Sequence, residues 1–276
     1  MHELVSFNHE IIRSEDASMS PVSVSGLYGK GVFTTLAIRG GQPFLFDKHW
    51  ERLANNSERL GINIESLSKD DLFASLSDLV TRNSVTNGRC RITVFDSSSS
   101  QIWRTLTDQK SSVLIQSADM RVRPDRLRLT ISPFLVSSTA PLNNIKTCNY
   151  LEQTVSYDAA AREGFDEAIR LNEKHEVVSA CMANVFWETD GKFYTPMLDT
   201  GCLHGTTRAF VAESIQVSPV RHHVDALKHA NHVFLTSAGL GIAEVEEIRI
   251  GDETAEFGRL GEDFYDLGRL CEIRWQ

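Results

Sequence analysis

Residues 143–153 read Asn-Asn-Ile-Lys-Thr-Cys-Asn-Tyr-Leu-Glu-Gln, and this stretch decides how the rest of the chain is interpreted. It places Lys146 among polar residues, immediately before a segment, 150–163, with the pattern of a helix that ends at Gly164. A lysine in such a position can be held near a cavity and desolvated enough to act as a base. A lysine considered alone is far more often a solvated surface charge. Lys146 is therefore a candidate base, and the case for it depends on the other segments of the sequence.

The composition is typical of a folded protein in water: 276 residues, 41% hydrophobic and 24% charged, with a net charge of -9. The negative charge argues against a surface that binds nucleic acid or an anionic membrane. The sequence has neither a membrane-spanning apolar run nor a signal peptide at its start, which predicts a cytoplasmic location. No metal site is predicted. The widely spaced cysteines are predicted to be reduced thiols: Cys90, Cys148, Cys181, Cys202 and Cys271.

Strand and helix patterns predict an α+β fold with two domains. The N-terminal patterns are strands over 4–7, 31–38 and 90–95, a Gly40-Gly41 turn, and helices over 47–60 and 69–82, capped by Asp47 and Ser68. The C-terminal patterns are a helix over 206–215 and strands over 126–131, 167–171, 177–187, 192–195 and 233–236. We predict an N-terminal α+β domain over 1–118, an interdomain connector over 119–125 and a C-terminal domain over 126–276.

Two further segments are suited to binding an anion. Residues 204–208, His-Gly-Thr-Thr-Arg, open a predicted helix, where backbone N–H groups and the hydroxyls of Thr206 and Thr207 can receive a phosphate. Residues 236–239, Thr-Ser-Ala-Gly, end a predicted strand and offer small residues that can close over the same anion. Simple helix capping and a plain turn would also explain these two segments.

Taken in order, these segments resemble the fold-type IV pyridoxal-phosphate enzymes, which comprise the branched-chain and D-amino-acid aminotransferases and the aminodeoxychorismate lyases. The other motifs that carry the resemblance are GLYGKGVF over 26–33, HWERL over 49–53, ANVFW over 183–187 and YTPMLDTG over 194–201. The resemblance implies a D-amino-acid aminotransferase-like fold, with a smaller N-terminal domain and a larger C-terminal domain that contains a mixed sheet. It also implies pyridoxal phosphate as the cofactor and a homodimer.

The resemblance also implies roles for individual residues. Lys146 would hold the cofactor as an imine and move protons, and Arg52 would bind its phosphate. Tyr150 would approach the cofactor's phenolic oxygen, with simple packing in the helix as the alternative. Asn184 would shape the strand under the cofactor. The remaining phosphate contacts would come from Thr206, Thr207, Ser237 and Ala238.

The sequence departs from the family at two positions. Five residues before the position of Asn184, relatives carry a glutamate that pairs with the cofactor's protonated pyridine nitrogen. This chain has Ser179 at that position. A hydroxyl cannot raise the nitrogen's pKa as a carboxylate does. Glu176 lies three residues away, and an odd shift along a strand points to the opposite face, so we do not expect it to substitute. Thr34 stands where many relatives carry an acidic residue.

Within the family, Trp187 after Phe186 makes the sequence most similar to the aminodeoxychorismate lyases. This implies an enzyme of folate biosynthesis that cleaves the small molecule 4-amino-4-deoxychorismate to 4-aminobenzoate and pyruvate, with Lys146 as acid and base. An aminotransferase acting on D-amino or branched-chain amino acids remains the main alternative, because the scaffold is shared. A third interpretation, prompted by Ser179 and Thr34, is a protein that binds pyridoxal phosphate with little catalysis.

Overall fold

The structure is a computed structural model that describes residues 1–100 and 110–261, so that Cys271 lies outside the described part of the chain. Backbone contacts divide the chain into two units. The first contains residues 1–121 and Ile145–Asn149, and the second contains residues 122–144 and those from Tyr150 on. The segment that carries Lys146 thus belongs to the first unit. The connector over 119–125 stays a prediction.

The first unit is built on an antiparallel sheet. Its strands are β1 (Leu4–Phe7), β2 (Glu10–Arg13), β3 (Gly31–Arg39), β4 (Gln42–Pro43), β5 (Gly88–Asp96) and β6 (Ser111–Asp119). Their order among the described residues is β2-β1-β6-β5-β3-β4. Its helices are α1 (Val24–Tyr28), α2 (Phe46–Arg59) and α3 (Lys69–Arg82). The glycine pair Gly40-Gly41, both with positive φ, makes the predicted turn between β3 and β4.

The two longer helices of this unit begin in different ways. Helix α3 begins as predicted, because the Ser68 side chain accepts a hydrogen bond from the Asp71 backbone N–H at 3.0 Å. The prediction that Asp47 caps α2 was wrong. Leu45, at φ +54°, occupies the cap position without a side-chain hydrogen bond, so the helix begins at Phe46. Asp47 lies in the first turn, where its charge still favours the helix dipole.

One apolar core holds α2 and α3 against the sheet. Leu53 of α2 and Leu76 of α3 are almost fully buried in a cluster that includes Leu36, Ile92 and Ile115 of the strands. Burying one such side chain stabilises the fold by roughly 1.5–3 kcal/mol. The core therefore fixes β3 and α2, the two elements that carry the functional side chains of this unit.

The second unit contains a mixed sheet. Its strands are β7 (Arg126–Ile131), β8 (Glu167–Leu171), β9 (Val177–Ala180), β10 (Asn184–Thr189), β11 (Lys192–Pro196), β12 (Val217–Val220), β13 (His232–Ser237), β14 (Gly241–Ile250) and β15 (Glu253–Glu256). The order among the described residues is β12-β11-β10-β13-β14-β7-β8-β9, with β15 beside β14. Its helices are α4 (Leu151–Arg162) and α5 (Thr206–Ser214), with 3₁₀ turns at Leu198–Thr200 and Val224–His229.

The predicted strand over 177–187 is two strands, β9 and β10, joined by a turn. The buried carboxylate of Glu167, 1% exposed, accepts hydrogen bonds from the backbone N–H groups of Cys181 and Met182, each at 3.1 Å. Ala180 N–H also donates to the carbonyl oxygen of Ala183 at 2.9 Å. The break depends on a side chain in β8, so the local strand pattern could not reveal it.

The sheet also extends beyond the last predicted strand. β14 pairs antiparallel with β13 and parallel with β7, which places it inside the sheet, and β15 pairs with β14. The two-domain α+β fold with a mixed sheet in the C-terminal part is confirmed. Among the described residues, no helix combines the length and apolar character needed to cross a membrane.

Candidate active site

Backbone hydrogen bonds fix the segment of Lys146 beside β3. Phe33 N–H donates to the Lys146 carbonyl oxygen at 2.9 Å, and Cys148 N–H donates to the Gly31 carbonyl oxygen at 2.8 Å. Val32 and Thr147 form a bridge between these contacts. The segment therefore runs as a short additional strand, and its lysine is held on a rigid backbone.

Three cationic side chains lie close together at this place. Lys146 Nζ lies 4.5 Å from the centre of the Phe33 ring, and the guanidinium carbon of Arg91 lies 3.7 Å from the same centre. Lys146 as a whole is only partly buried. Burial of its amine nevertheless lowers the Lys146 pKa well below its usual value, and the charges of Arg52 and Arg91 lower it further. The neutral amine needed for a base or nucleophile is thereby favoured.

Arg52 is held by Thr34 on β3. Its Nη2 donates to the Thr34 hydroxyl oxygen at 2.6 Å, and the same hydroxyl is hydrogen-bonded to His49 Nδ1, also at 2.6 Å. His49 is 1% exposed, and burial, with the charges of Arg52 and Lys146, lowers its pKa well below the usual value. A neutral His49 and a hydroxyl thus position the guanidinium of Arg52 without an acidic partner at position 34.

The lowered pKa of Lys146 predicts a pH-dependent stability of the cofactor-free protein. Between the folded pKa and the ordinary value of about 10.4, the unfolded chain binds one more proton, so stability rises with pH by about 1.4 kcal/mol per unit. Lys146→Met removes this dependence. We therefore expect the free energy of unfolding of the variant to exceed that of the wild type at neutral pH, and the difference to shrink as the pH rises towards about 10.4. Urea unfolding across this range measures the difference. The exposed Lys174→Met is the control, and parallel pH profiles for wild type and Lys146→Met would contradict the prediction.

In the second unit, the start of α5 forms a small polar surface. Gly205 occupies the cap position, and no side chain caps the helix there. The side chains of Thr206 and Thr207 are buried, 5% and 4% exposed. A helix start without a side-chain cap presents its first backbone N–H groups to an anion. Ser237 and Ala238 end β13 and begin the turn after it, and both are partly buried.

Asn184 shapes the loop before α5. Its amide Nδ2 donates to the Leu203 carbonyl oxygen at 2.8 Å. A Cβ atom added to Gly205 would overlap Asn184 Oδ1, so one of the two groups would have to move. On the strand beside Asn184, its register partner Thr236 has a buried hydroxyl oxygen that finds no hydrogen-bond partner in residues 1–100 and 110–261.

We expect Gly205→Ala to destabilise the protein by roughly 1–3 kcal/mol, the usual cost of overpacking a tight contact. The added Cβ must displace Asn184 or the start of α5. Urea unfolding measures the change. Gly261→Ala is the matched control, because a Cβ there meets no atom of the described residues within 4 Å. Equal stabilities of the two variants would show that the loop yields without cost.

The other predicted residues of the second unit lie on distinct elements. Tyr150 is the cap residue of α4 and makes no side-chain capping hydrogen bond. Ser179 lies in β9, directly opposite Arg170 of β8, and is partly buried. Trp187 is 1% exposed within the sheet's main core cluster and stacks on Tyr194 at 6.0 Å between ring centres, so its place in the described structure is in the core.

The structure thus brings some of the predicted residues together within each unit. In the first unit Lys146 and Arg52 interact electrostatically; in the second, Thr206 and Thr207 adjoin the loop that Asn184 holds. Sequence reasoning missed Arg91 and Arg170. The sequence offered only a weak signal, a charged side chain within a predicted strand, which must find a partner where the strand is buried.

Four cysteines lie in the described part of the chain and are largely removed from solvent. Cys90, Cys148, Cys181 and Cys202 are free, and burial raises the pKa of Cys90 to about 12 and that of Cys202 to about 11. Such thiols stay protonated and unreactive at neutral pH. Residues 1–100 and 110–261 contain no group of histidine, cysteine and acidic side chains arranged to hold a metal ion.

Comparison with known proteins finds relatives among the lyases and the aminotransferases. The chain is 28% identical over 265 residues to the aminodeoxychorismate lyase of Bacillus subtilis, covering 92% of this chain and 90% of the relative. It is 24% identical to a D-alanine aminotransferase of Staphylococcus epidermidis, covering 93% and 92%. The crystal structure of a putative 4-amino-4-deoxychorismate lyase from Legionella pneumophila superposes with a TM-score of 0.85 at 26% identity, covering 94% and 96%.

The family model for amino-transferase class IV matches residues 31–248, which include every predicted site residue. Most of the chain is therefore accounted for by one family, in agreement with the resemblance found in the sequence. The chain belongs to the class IV aminotransferase family, whose enzymes depend on pyridoxal phosphate.

Proposed function

We propose that the protein is a 4-amino-4-deoxychorismate lyase, which releases 4-aminobenzoate and pyruvate. The sequence observation that carries the choice within the family is Trp187 after Phe186, and Ser179, which departs from the family as a whole, is compatible with a reaction whose product is aromatic. Glu176, the nearest acid along the chain, accepts a hydrogen bond from Asn172 at 2.7 Å. The 28% identity to the lyase of Bacillus subtilis over most of both chains supports the same choice.

The residues of the described chain fit pyridoxal phosphate. An amine with a lowered pKa suits covalent attachment of an aldehyde, and Lys146 is such an amine. A helix start without a side-chain cap suits a phosphate, and α5 offers one beside two buried threonines. The buried Thr236 hydroxyl without a partner adds a polar atom near the loop of Asn184. These features are costly in an empty fold and are explained by a polar ligand.

We assign the residues as follows. Lys146 would attach the cofactor, and its amine would take the proton next to the substrate's amine-bearing carbon and give it to the leaving group. Arg52, positioned by Thr34, binds the phosphate as a charge-assisted donor, and the remaining phosphate contacts come from Thr206, Thr207, Ser237 and Ala238. Tyr150 would approach the phenolic oxygen of the cofactor. When bound, pyridoxal phosphate supplies a conjugated ring that withdraws electrons from the bond that breaks.

The deciding experiment follows both products with 4-amino-4-deoxychorismate as the substrate. A lyase releases 4-aminobenzoate and pyruvate in equal amounts without a keto-acid acceptor. Formation of an amino acid from a keto acid, with no 4-aminobenzoate, would show the aminotransferase that the relative from Staphylococcus epidermidis exemplifies. Uptake of the cofactor without either activity would indicate a protein that binds pyridoxal phosphate with little catalysis, and would refute the proposal.

We also propose that the protein acts as a homodimer in the cytoplasm and contributes to folate biosynthesis. The large apolar side chains of Leu27 and Tyr28 in α1 are 49% and 38% exposed, which suits a surface that another copy covers. Sedimentation of the purified protein at the mass of one chain would refute the dimer.

A further inference from the structure

Arg170 and Ser179 lie side by side on the sheet of the second unit. β8 and β9 are antiparallel, and these two residues are direct register partners. Side chains of directly opposite residues project from the same face, with Cβ atoms roughly 4.5–5.5 Å apart. The position where the family carries a glutamate therefore has a guanidinium as its cross-strand neighbour in this chain.

The face on which they lie is the face that carries α5. Ile169 of β8 belongs to the main core cluster together with Trp187 of β10, so these two side chains share one face. Arg170 follows Ile169 and points to the other face, because side chains alternate along a strand. On β10, Phe186 packs against Val211 of α5 on that second face. Arg170 thus projects on the same side as the helix proposed to hold the phosphate.

The guanidinium of Arg170 has an N–H donor that makes no hydrogen bond to the described residues. Arg170 is 4% exposed, and its Nη2 donates to Glu152 Oε1 of α4 at 2.7 Å. Among the described residues, its Nε is buried without a hydrogen-bond partner. A buried donor of a permanently charged group is costly to leave unpaired, so an acceptor is expected beside it. Ser179 adds a hydroxyl at the same place, and a hydroxyl can also donate.

We propose that Arg170, together with Ser179, binds the pyridine nitrogen of pyridoxal phosphate as a hydrogen-bond donor and thereby holds that nitrogen unprotonated. This inference rests on the proposed function, which places the cofactor's ring end at Ser179. An unprotonated pyridine nitrogen has a lone pair and accepts a hydrogen bond, whereas a protonated one requires an acceptor such as a carboxylate. The guanidinium is always charged, and a nearby positive charge disfavours protonation of a base.

Glu152 does not reverse the effect of the Arg170 charge on the pyridine nitrogen. Its carboxylate binds Nη2 of Arg170, and its side chain is 56% exposed, so solvent screens its charge. Its role is to orient Arg170. The consequence for the reaction is a weaker electron sink than in an aminotransferase. Such a sink is sufficient when cleavage yields an aromatic product, and it disfavours storage of the amine on the cofactor.

The test uses the protein reconstituted with pyridoxal phosphate labelled at the pyridine nitrogen, whose NMR chemical shift separates the protonated from the unprotonated form. We expect the wild-type shift to be that of the unprotonated form from mildly acidic to mildly alkaline pH. We expect Arg170→Met combined with Ser179→Glu to move it to the protonated form. Arg221→Met is the matched control and is expected to leave the wild-type shift unchanged, because Arg221 is 50% exposed and forms a surface ion pair with Asp199.

The wild-type measurement decides the question even where a variant fails to fold. A protonated shift in the wild-type protein would overturn the inference, whatever the reaction. An unprotonated shift that persists in Arg170→Met/Ser179→Glu would also overturn it, because Arg170 would then not control the nitrogen. An unprotonated wild-type shift in a protein that releases no 4-aminobenzoate would support the inference and refute the proposed lyase alone. The two claims therefore fail separately.

Discussion

Lys146→Ala is expected to lower the rate of 4-aminobenzoate release by about 10³-fold or more and to remove the visible absorption band of the bound cofactor. General acid–base catalysis by a positioned side chain contributes roughly 10²–10⁴-fold, and Lys146 also supplies the covalent attachment. The reason lies in its surroundings. Burial and the charges of Arg52 and Arg91 lower the pKa of its amine and favour the neutral form, and alanine supplies no amine. Absorption spectra and initial rates of the purified variant measure both effects.

Lys69→Ala is the control for this prediction. Lys69 belongs to the same unit, and its ammonium forms a surface ion pair with Asp47 at 2.7 Å. Exposed pairs contribute roughly 0–1 kcal/mol, so the control should keep both the band and the rate. If Lys146→Ala kept the absorption band, the assignment of the attachment site would fail, whatever happened to the rate. Loss of the band in Lys69→Ala would point to a general loss of folding.

The sequence was most informative where the signals are local. The cap at Ser68 and the helix α3 after it depend on residues within one turn, and both were predicted at their observed positions. The split between β9 and β10 depends on Glu167, a side chain of another strand whose carboxylate binds the turn. No periodicity within residues 177–187 carries that information, so the strand was predicted as continuous.

The candidate site shows the same division. Lys146 and Arg52 were identified from motifs along the chain, and their electrostatic interaction in the first unit supports that choice. The effect of Arg91 could not be predicted, because it arises where β5 lies beside β3 and both cations reach the Phe33 ring. Arg170 was missed for a similar reason, since its position opposite Ser179 depends on the register of two strands.

Ser179→Glu is expected to raise the ratio of transamination to lyase activity by about tenfold or more. A carboxylate accepts a hydrogen bond from a protonated pyridine nitrogen and favours that form, and one unit of pKa is worth about 1.4 kcal/mol, or a factor of ten. Transamination gains more from this change, because it must store the amine on the cofactor. The lyase gains less, because formation of an aromatic product already drives the cleavage. Parallel assays of pyruvate release and of amino transfer to a keto acid give the ratio.

Arg170 sets the size of this effect, because the new carboxylate would face its guanidinium across the strands. Part of the added negative charge would be neutralised by that pair, so Ser179→Glu alone should change the ratio less than the same substitution combined with Arg170→Met. Ser179→Gln is the matched control, since it has nearly the size of glutamate without its charge. An equal shift in Ser179→Gln would assign the effect to size alone. An unchanged ratio in Ser179→Glu would mean that the residue at this position does not choose between the two reactions.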